Sequence, residues 1–130
     1  MILDTSFVID LLHTDIKAVQ KLHELLKQGS VPKITAVTVF ELFTGVVRSN
    51  RPAEERNKIL QVLEGQLVIP LEREAAEKAG EIDGSLAKEG KKIDIADCLI
   101  AGIALSRNEK VLTRNVKDFS RIQRLAVETY

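Results

Sequence analysis

Residues 1–12 read MILDTSFVIDLL. Ile2 and Leu3 are branched and apolar, which suits a short buried strand. Asp4 follows at once, and Ser6–Leu12 reads as a helix with Phe7, Leu11 and Val8, Leu12 on one side. A strand that runs directly into a helix is the opening of an α/β unit. The stretch also poses a chemical question: a carboxylate stands among residues that read as core.

The same alternation continues along the chain. The segment HTD (13–15) breaks the first helix, and Asp15 is placed to cap a second, residues 16–29. Val19, Leu22, Leu25 and Leu26 are its apolar stripe, and Gly29 stands where a helix ends in a left-handed residue. VPKITAV (31–37) reads as strand two and TVFELFTGVVRS (38–49) as helix three. Residues 51–65 form helix four, with Pro52 in its first turn and Gly65 at its end. QLVI (66–69) is strand three. A charged amphipathic helix, 71–90, turns Ala75, Ala79, Ile82 and Leu86 inward. DIADCLIAGIALSRN (94–108) is apolar on nearly every side and reads as a buried helix. KVLT (110–113) is strand four and RLAVE (124–128) strand five. Short apolar strands alternating with helices predict an α/β domain spanning 1–130, with a parallel sheet.

In open parallel sheets, ligands bind beyond the carboxyl ends of the strands. Asp4 follows strand one, Glu41 lies in the first turn after strand two, and Asn115 and Asp118 follow strand four. Asp97 heads the buried helix, which starts at the same edge if it crosses back antiparallel to the strands. Each acid also has a plain structural reading. Asp4 can cap helix one, and Thr38-Val39-Phe40-Glu41 fits a capping box. Asp94 can cap the buried helix while Asp97 favours its dipole, and Asp118 can cap a turn. Caps have no need to meet, whereas a metal site does. Crowded carboxylates repel and burial raises their pKa values, two costs that a divalent cation relieves. An all-oxygen donor set selects Mg²⁺ or Mn²⁺ over zinc. Such an ion activates water and stabilises charge on a phosphoryl oxygen, which suits phosphodiester hydrolysis.

At these residues the sequence resembles the PIN domain family, and within it the VapC-type toxins. The stretches ILDTSFVIDLL, ITAVTVFELFTGV, DIADCLIAGIAL and VLTRNVKDF, closing with LAVE, carry the likeness in order across essentially the whole chain. The resemblance implies an α/β/α sandwich around a central parallel sheet of about five strands. It implies a Mg²⁺- or Mn²⁺-dependent ribonuclease, with the family's acidic positions falling on Asp4, Glu41 and Asp97. Many PIN nucleases have aspartate where this chain has Asn115, so Asp118 is the nearest acid for the fourth position. Asn115 can contribute a carbonyl oxygen without charge. The resemblance also implies a small VapB-like antitoxin that covers the groove, and a homodimer.

RNA approaching an acidic pocket calls for a basic rim. Arg48, Arg51, Lys91, Lys92, Arg114 and Lys117 are the candidates, and Arg114 and Lys117 flank the site. Thr5 and Thr113 are candidates for substrate contacts or for hydrogen bonds to the acids. His13, His23, Asp10 and Asp83 read as surface or capping residues, and Cys98 as core.

Composition narrows the class. Hydrophobic residues make up 45% and charged residues 29%, with 19 acidic against 19 basic side chains, an ordinary globular balance. Zero net charge gives no global attraction to nucleic acid. A single cysteine excludes an internal disulfide and a cysteine-rich zinc site. No apolar run reaches the ~18 residues of a membrane span. The start lacks the basic residues and cleavage site of a signal peptide, so a cytoplasmic protein is expected. Two rival readings differ in their demands. A haloacid-dehalogenase-type phosphatase wants a second aspartate two residues after the first, and here that residue is Ser6. A catalytically inactive PIN-fold module that binds RNA or protein would have no use for gathered, unpaired carboxylates.

Overall fold

A computed structural model describes residues 1–130. Its elements run β1 (Ile2–Leu3), α1 (Thr5–Leu12), α2 (Ile16–Lys27), β2 (Ile34–Thr35), α3 (Ala36–Arg48) and α4 (Pro52–Leu63). They continue with β3 (Val68–Ile69), α5 (Arg73–Lys88), α6 (Ile95–Ser106), β4 (Val111–Leu112), α7 (Val116–Phe119) and β5 (Val127–Glu128).

All strand pairs are parallel. β1, β4 and β5 form one ladder with β4 in the middle, and β2 pairs with β3 in a second. The expected sheet of about five strands is therefore divided into three strands and two. A single parallel bridge, Ile2 to Lys33, links them. Each strand is only two residues long, so β1 and β2 touch through Leu3 N–H to the Lys33 carbonyl and Lys33 N–H to that of Met1, both under 3 Å.

Two-residue strands still define two faces, because consecutive side chains point to opposite sides. Ile2 and Val111 belong to one core cluster with residues of α5, α6 and α7. Leu3, Leu112 and Ile34 belong to another with residues of α1 to α4. Both faces are thus covered by helices, which is the three-layer arrangement. Branched aliphatics fill both cores; Phe7 and Phe119 are the large exceptions, one on each side. α5 and α6 make the most extensive helix contact. They approach over Ala75, Ala79 and Gly102, where a Cβ on Gly102 would sit 2.9 Å from that of Ala79.

The expected caps of α2 and α6 form: Asp15 accepts from Ala18 N–H and Asp94 from Ala96 N–H. Gly29 and Gly65 follow α2 and α4 with φ of +75° and +73°. α6 is buried over Cys98 and Ile100–Ala104. Three expectations need correction. The α2 stripe turns in Ala18 and Leu25, whereas Leu26 is exposed. Strand two ends at Thr35, and α3 starts at Ala36. The cap of α3 is consequently Thr35, whose hydroxyl accepts from Thr38 N–H at 3.2 Å. The capping box over Thr38–Glu41 does not form, and Glu41 lies in the second turn of α3, clear of the helix start.

Candidate metal and nuclease site

The carboxyl edge of the sheet gathers Asp4, Glu41, Asp97 and Asp118. Asp4 takes the N-cap position of α1, yet its side chain makes no capping bond. Its Oδ2 instead accepts from the Ser6 hydroxyl at 2.8 Å and the Thr113 hydroxyl at 2.7 Å. Those hydroxyl oxygens accept in turn from the backbone N–H of Arg114 and of Asn115. Asp4 is only 3% exposed, so this network replaces the water it gives up. One carboxylate oxygen is fixed and no side-chain hydrogen bond engages the other.

Glu41 reaches the same edge from α3. Its Oε1 accepts from the Thr5 hydroxyl at 2.6 Å, and Thr38 Oγ1 lies 3.0 Å from Thr5 Oγ1. A hydroxyl has one proton, and Thr5 gives its own to Glu41, so Thr38 donates to Thr5. Asp97 enters from the first turn of α6. The Asn115 amide donates to Asp97 Oδ2 at 3.1 Å and to Asp118 Oδ2 at 3.0 Å, bridging the two acids.

Charge here is poorly compensated. Of the four acids only Asp118 has a cationic neighbour, the Arg121 guanidinium at 4.0 Å. Burial, followed by repulsion from Asp4, Asp94, Glu41 and Asp118, pushes the Asp97 carboxyl up to about 7. Glu41 is also raised, chiefly by burial; the Thr5 hydrogen bond opposes this, and repulsion from Asp4 and Asp94 adds to it. The structure therefore brings together Asp4, Glu41, Asp97, Asn115 and Asp118 from four separate stretches of chain.

The chemistry of this donor set fits a hard divalent cation, since every donor is oxygen and the excess charge is negative. The side chains do not already form a closed cage: no three His, Cys, Asp or Glu residues converge tightly enough to hold an ion as they stand. Asn115 occupies the space between Asp97 and Asp118 with its amide protons. Turning that amide over would present its carbonyl oxygen instead.

The rim is mixed. Arg114 pairs with Asp10 and not with an acid of the cluster. Arg48 shares a groove between α3 and α6 with Phe40, Glu41, Asp94 and Ile95. Lys117 is exposed on α7, and the Lys91 and Lys92 carbonyls accept from Arg121. Arg51 is exposed and pairs with Glu54. Thr5 and Thr113 are buried, and their hydroxyls donate to Glu41 and Asp4, which is the hydrogen-bonding role expected of them. His13 and His23 are exposed and Cys98 is buried, as expected. Sequence reasoning missed Ser6, Thr38, Asp10 and Tyr130. Ser6, two residues past Asp4, was the most readable of these, as a hydroxyl within reach of its own carboxylate.

Comparison with known proteins identifies the family. The PIN domain family model matches residues 1–125. The tRNA(fMet)-specific endonuclease VapC of Shigella flexneri is 36% identical over 109 residues, covering 81% of this chain and 79% of that one. Ribonuclease VapC1 of Rickettsia felis is 33% identical over 99% of this chain and 95% of its own length. Among solved structures, VapBC2 of Rickettsia felis bound to a DNA fragment from its promoter superposes with a TM-score of 0.90. That match has 25% identity and covers 99% of this chain and 97% of that one. The chain belongs to the PIN domain family, among its VapC ribonucleases.

Proposed function

We propose that this protein is a Mg²⁺- or Mn²⁺-dependent endoribonuclease that hydrolyses RNA phosphodiester bonds, the toxin of a toxin–antitoxin pair acting in the cytoplasm. The observation that carries the reading is the convergence of four carboxylates with almost no cation among them; burial first, and then their mutual repulsion, raises Asp97 to about 7. The fold bears that repulsion at a cost, and gathered, poorly compensated carboxylates of this kind mark a functional site. Asp4 and Asp97 would hold the ion, with Glu41 and Asp118 completing its surroundings directly or through water and Asn115 supplying an uncharged oxygen. When bound, Mg²⁺ or Mn²⁺ would acidify a water and offset charge on the phosphoryl oxygen.

The chain's own residues set the geometry. Ser6 and Thr113 fix one oxygen of Asp4 and leave the other for the ion. Thr38 and Thr5 hold Glu41 where its free oxygen can orient the attacking water and take its proton. Asn115 keeps Asp97 and Asp118 from separating. Phe40 and Ile95 expose large apolar surface in the groove between α3 and α6, the kind of surface that a protein partner covers. A VapB-like antitoxin and a second copy of the chain are the partners proposed for it.

The test is cleavage of a total RNA pool by the purified chain with Mn²⁺ or Mg²⁺, beside EDTA and Asp97→Asn controls. Discrete cuts absent from both controls are expected, and their ends map the target. Equal cutting by wild type and Asp97→Asn would overturn this site. RNA binding without cutting, in a preparation free of antitoxin, would make the chain a binding module.

A further inference from the structure

Asp10 reads from sequence as a surface residue, yet it is the centre of a contact between three distant parts of the chain. Its side chain is only 13% exposed. Arg114 Nη1 donates to both of its oxygens, at 2.9 and 3.0 Å. The Tyr130 hydroxyl donates to Oδ2 at 2.5 Å. Tyr130 is itself fixed, with its ring edge-on to buried Phe7 at 4.7 Å. Burial, and then the Asp10 carboxylate, raises the Tyr130 phenol well above its ordinary range, so it stays a donor.

The same Arg114 is joined to the acid cluster through its backbone. Its N–H donates to Ser6 Oγ, which donates to Asp4 Oδ2. The backbone of Arg114 thus borders the cluster, while its guanidinium is held on Asp10 of α1 with 63% of the side chain exposed. Its hydrogen bonds to Asp10 all come from Nη1. Nε and Nη2 keep three N–H groups, a set that matches two oxygens of a phosphodiester. An RNA strand entering this edge meets four carboxylates, and a cation held outside the cluster on Asp10 offsets part of that repulsion along the strand's path. A side chain already held in place also has less rotamer freedom to lose on binding.

We infer that Asp10 and Tyr130 are positioning residues that hold Arg114 at the entrance as a contact for a phosphate of the RNA strand. The inference rests on the nuclease reading above, and its test separates the two. The probe is a labelled single-stranded RNA spanning a cut mapped in the total-RNA assay. Equilibrium binding is followed against salt in the Asp97→Asn background, and steady-state cleavage in the otherwise wild-type chain. Arg114→Ala should weaken binding and reduce the slope of log Kd against log salt by about 0.7, one phosphate contact on a single strand. Asp10→Asn and Tyr130→Phe should each raise KM about fivefold, the size of one exposed charge contact, with kcat nearly unchanged. Asp10→Asn should add nothing once Arg114 is alanine, because it acts through that side chain.

Tyr130→Phe keeps the ring against Phe7, so it reads the hydroxyl alone and remains informative if Asp10→Asn unfolds. Unchanged or lower KM in folded Asp10→Asn and Tyr130→Phe would overturn the inference. So would a full additive effect with Arg114→Ala, or a lower melting temperature with unaltered KM, which would make the contact a structural staple. Equal cleavage by wild type and Asp97→Asn would instead reject the nuclease site itself.

Discussion

The two ends of the sheet treat buried acids in opposite ways. At the amino edge, Glu109 is 15% exposed and hydrogen-bonded to both Lys33 and the Met1 amine. Burial alone would raise its carboxyl, but those two cations outweigh the burial and hold it below the usual range. At the carboxyl edge only Asp118 of the four acids has a cation near it, the Arg121 guanidinium, and burial followed by mutual repulsion raises Asp97 to about 7. Both edges use the same residue chemistry in the same small domain. One end is compensated by the chain's own cations, and at the other the negative charge is left almost without one. That asymmetry separates the two edges better than acidity does, since acidic residues are common on any surface.

The sharpest way to break the comparison is to neutralise one acid at each end. Asp97→Asn should reduce metal-dependent RNA cleavage by at least about 10²-fold while the fold survives, read by initial rates beside a thermal melt. Glu109→Gln should do the reverse. It leaves Lys33 and the Met1 amine facing a neutral amide, so stability should fall by roughly 1–3 kcal/mol in urea unfolding, with cleavage of the folded fraction retained. If Glu109→Gln abolished cleavage at unchanged stability, the division between the two ends would fail.

The carboxyl-edge half of this division is legible in the sequence; the pairing of Glu109 with Lys33 and the Met1 amine is not. Strand-to-helix junctions place Asp4 and Asn115 after their strands, and the apolar run around Asp97 marks a buried helix with a charge at its head. Local hydrogen bonding is less legible. The cap of α3 lies at Thr35 and not Thr38, since either threonine can start a helix and only tertiary packing decides. The break between β2 and β1 depends on a single bridge and has no sequence signal. The Asp10–Arg114–Tyr130 contact joins residues 104 to 120 positions apart. No periodicity or motif encodes such a meeting, so Asp10 reads as surface until the fold is known.

Asn115 offers a gentler probe of the carboxyl edge. Its amide donates to Asp97 and Asp118 together, which is the only internal relief those two acids share. Asn115→Asp would remove both donated hydrogen bonds and add a fifth charge. Without metal, stability should fall by about 1–2 kcal/mol. Mn²⁺ affinity, measured by calorimetry, should rise, because the added carboxylate gives the ion a further charged oxygen. Weaker Mn²⁺ binding would show that the amide, by holding the acids together, does more for the ion than a charge would.

The smallest expected effect is also the one that tests the comparison at both ends in one experiment. Free aspartate releases its proton near 3.8, whereas folded Asp97 holds it to about 7. Between those values the folded state binds more protons than the unfolded state, so Asp97 makes stability fall as pH rises. The loss is absent below 3.8 and complete above about 7. Glu109 runs the other way. Its folded pKa lies below 4.5, so its support is present above 4.5 and is lost as pH falls through the lowered value. Asp97→Asn should therefore cancel only the decline toward neutral pH, and Glu109→Gln only the decline in acid. Water reaching Asp97 screens the repulsion, so the Asn variant should exceed wild type by about 1 kcal/mol at pH 8 and match it near pH 4. Saturating Mg²⁺ should erase the advantage at pH 8 by compensating the same charges in wild type. Melts across this range with and without Mg²⁺ check it. An advantage that persisted unchanged at pH 4 would mean that Asp97 is strained by packing, and that the uncompensated charge is not what distinguishes this end of the sheet.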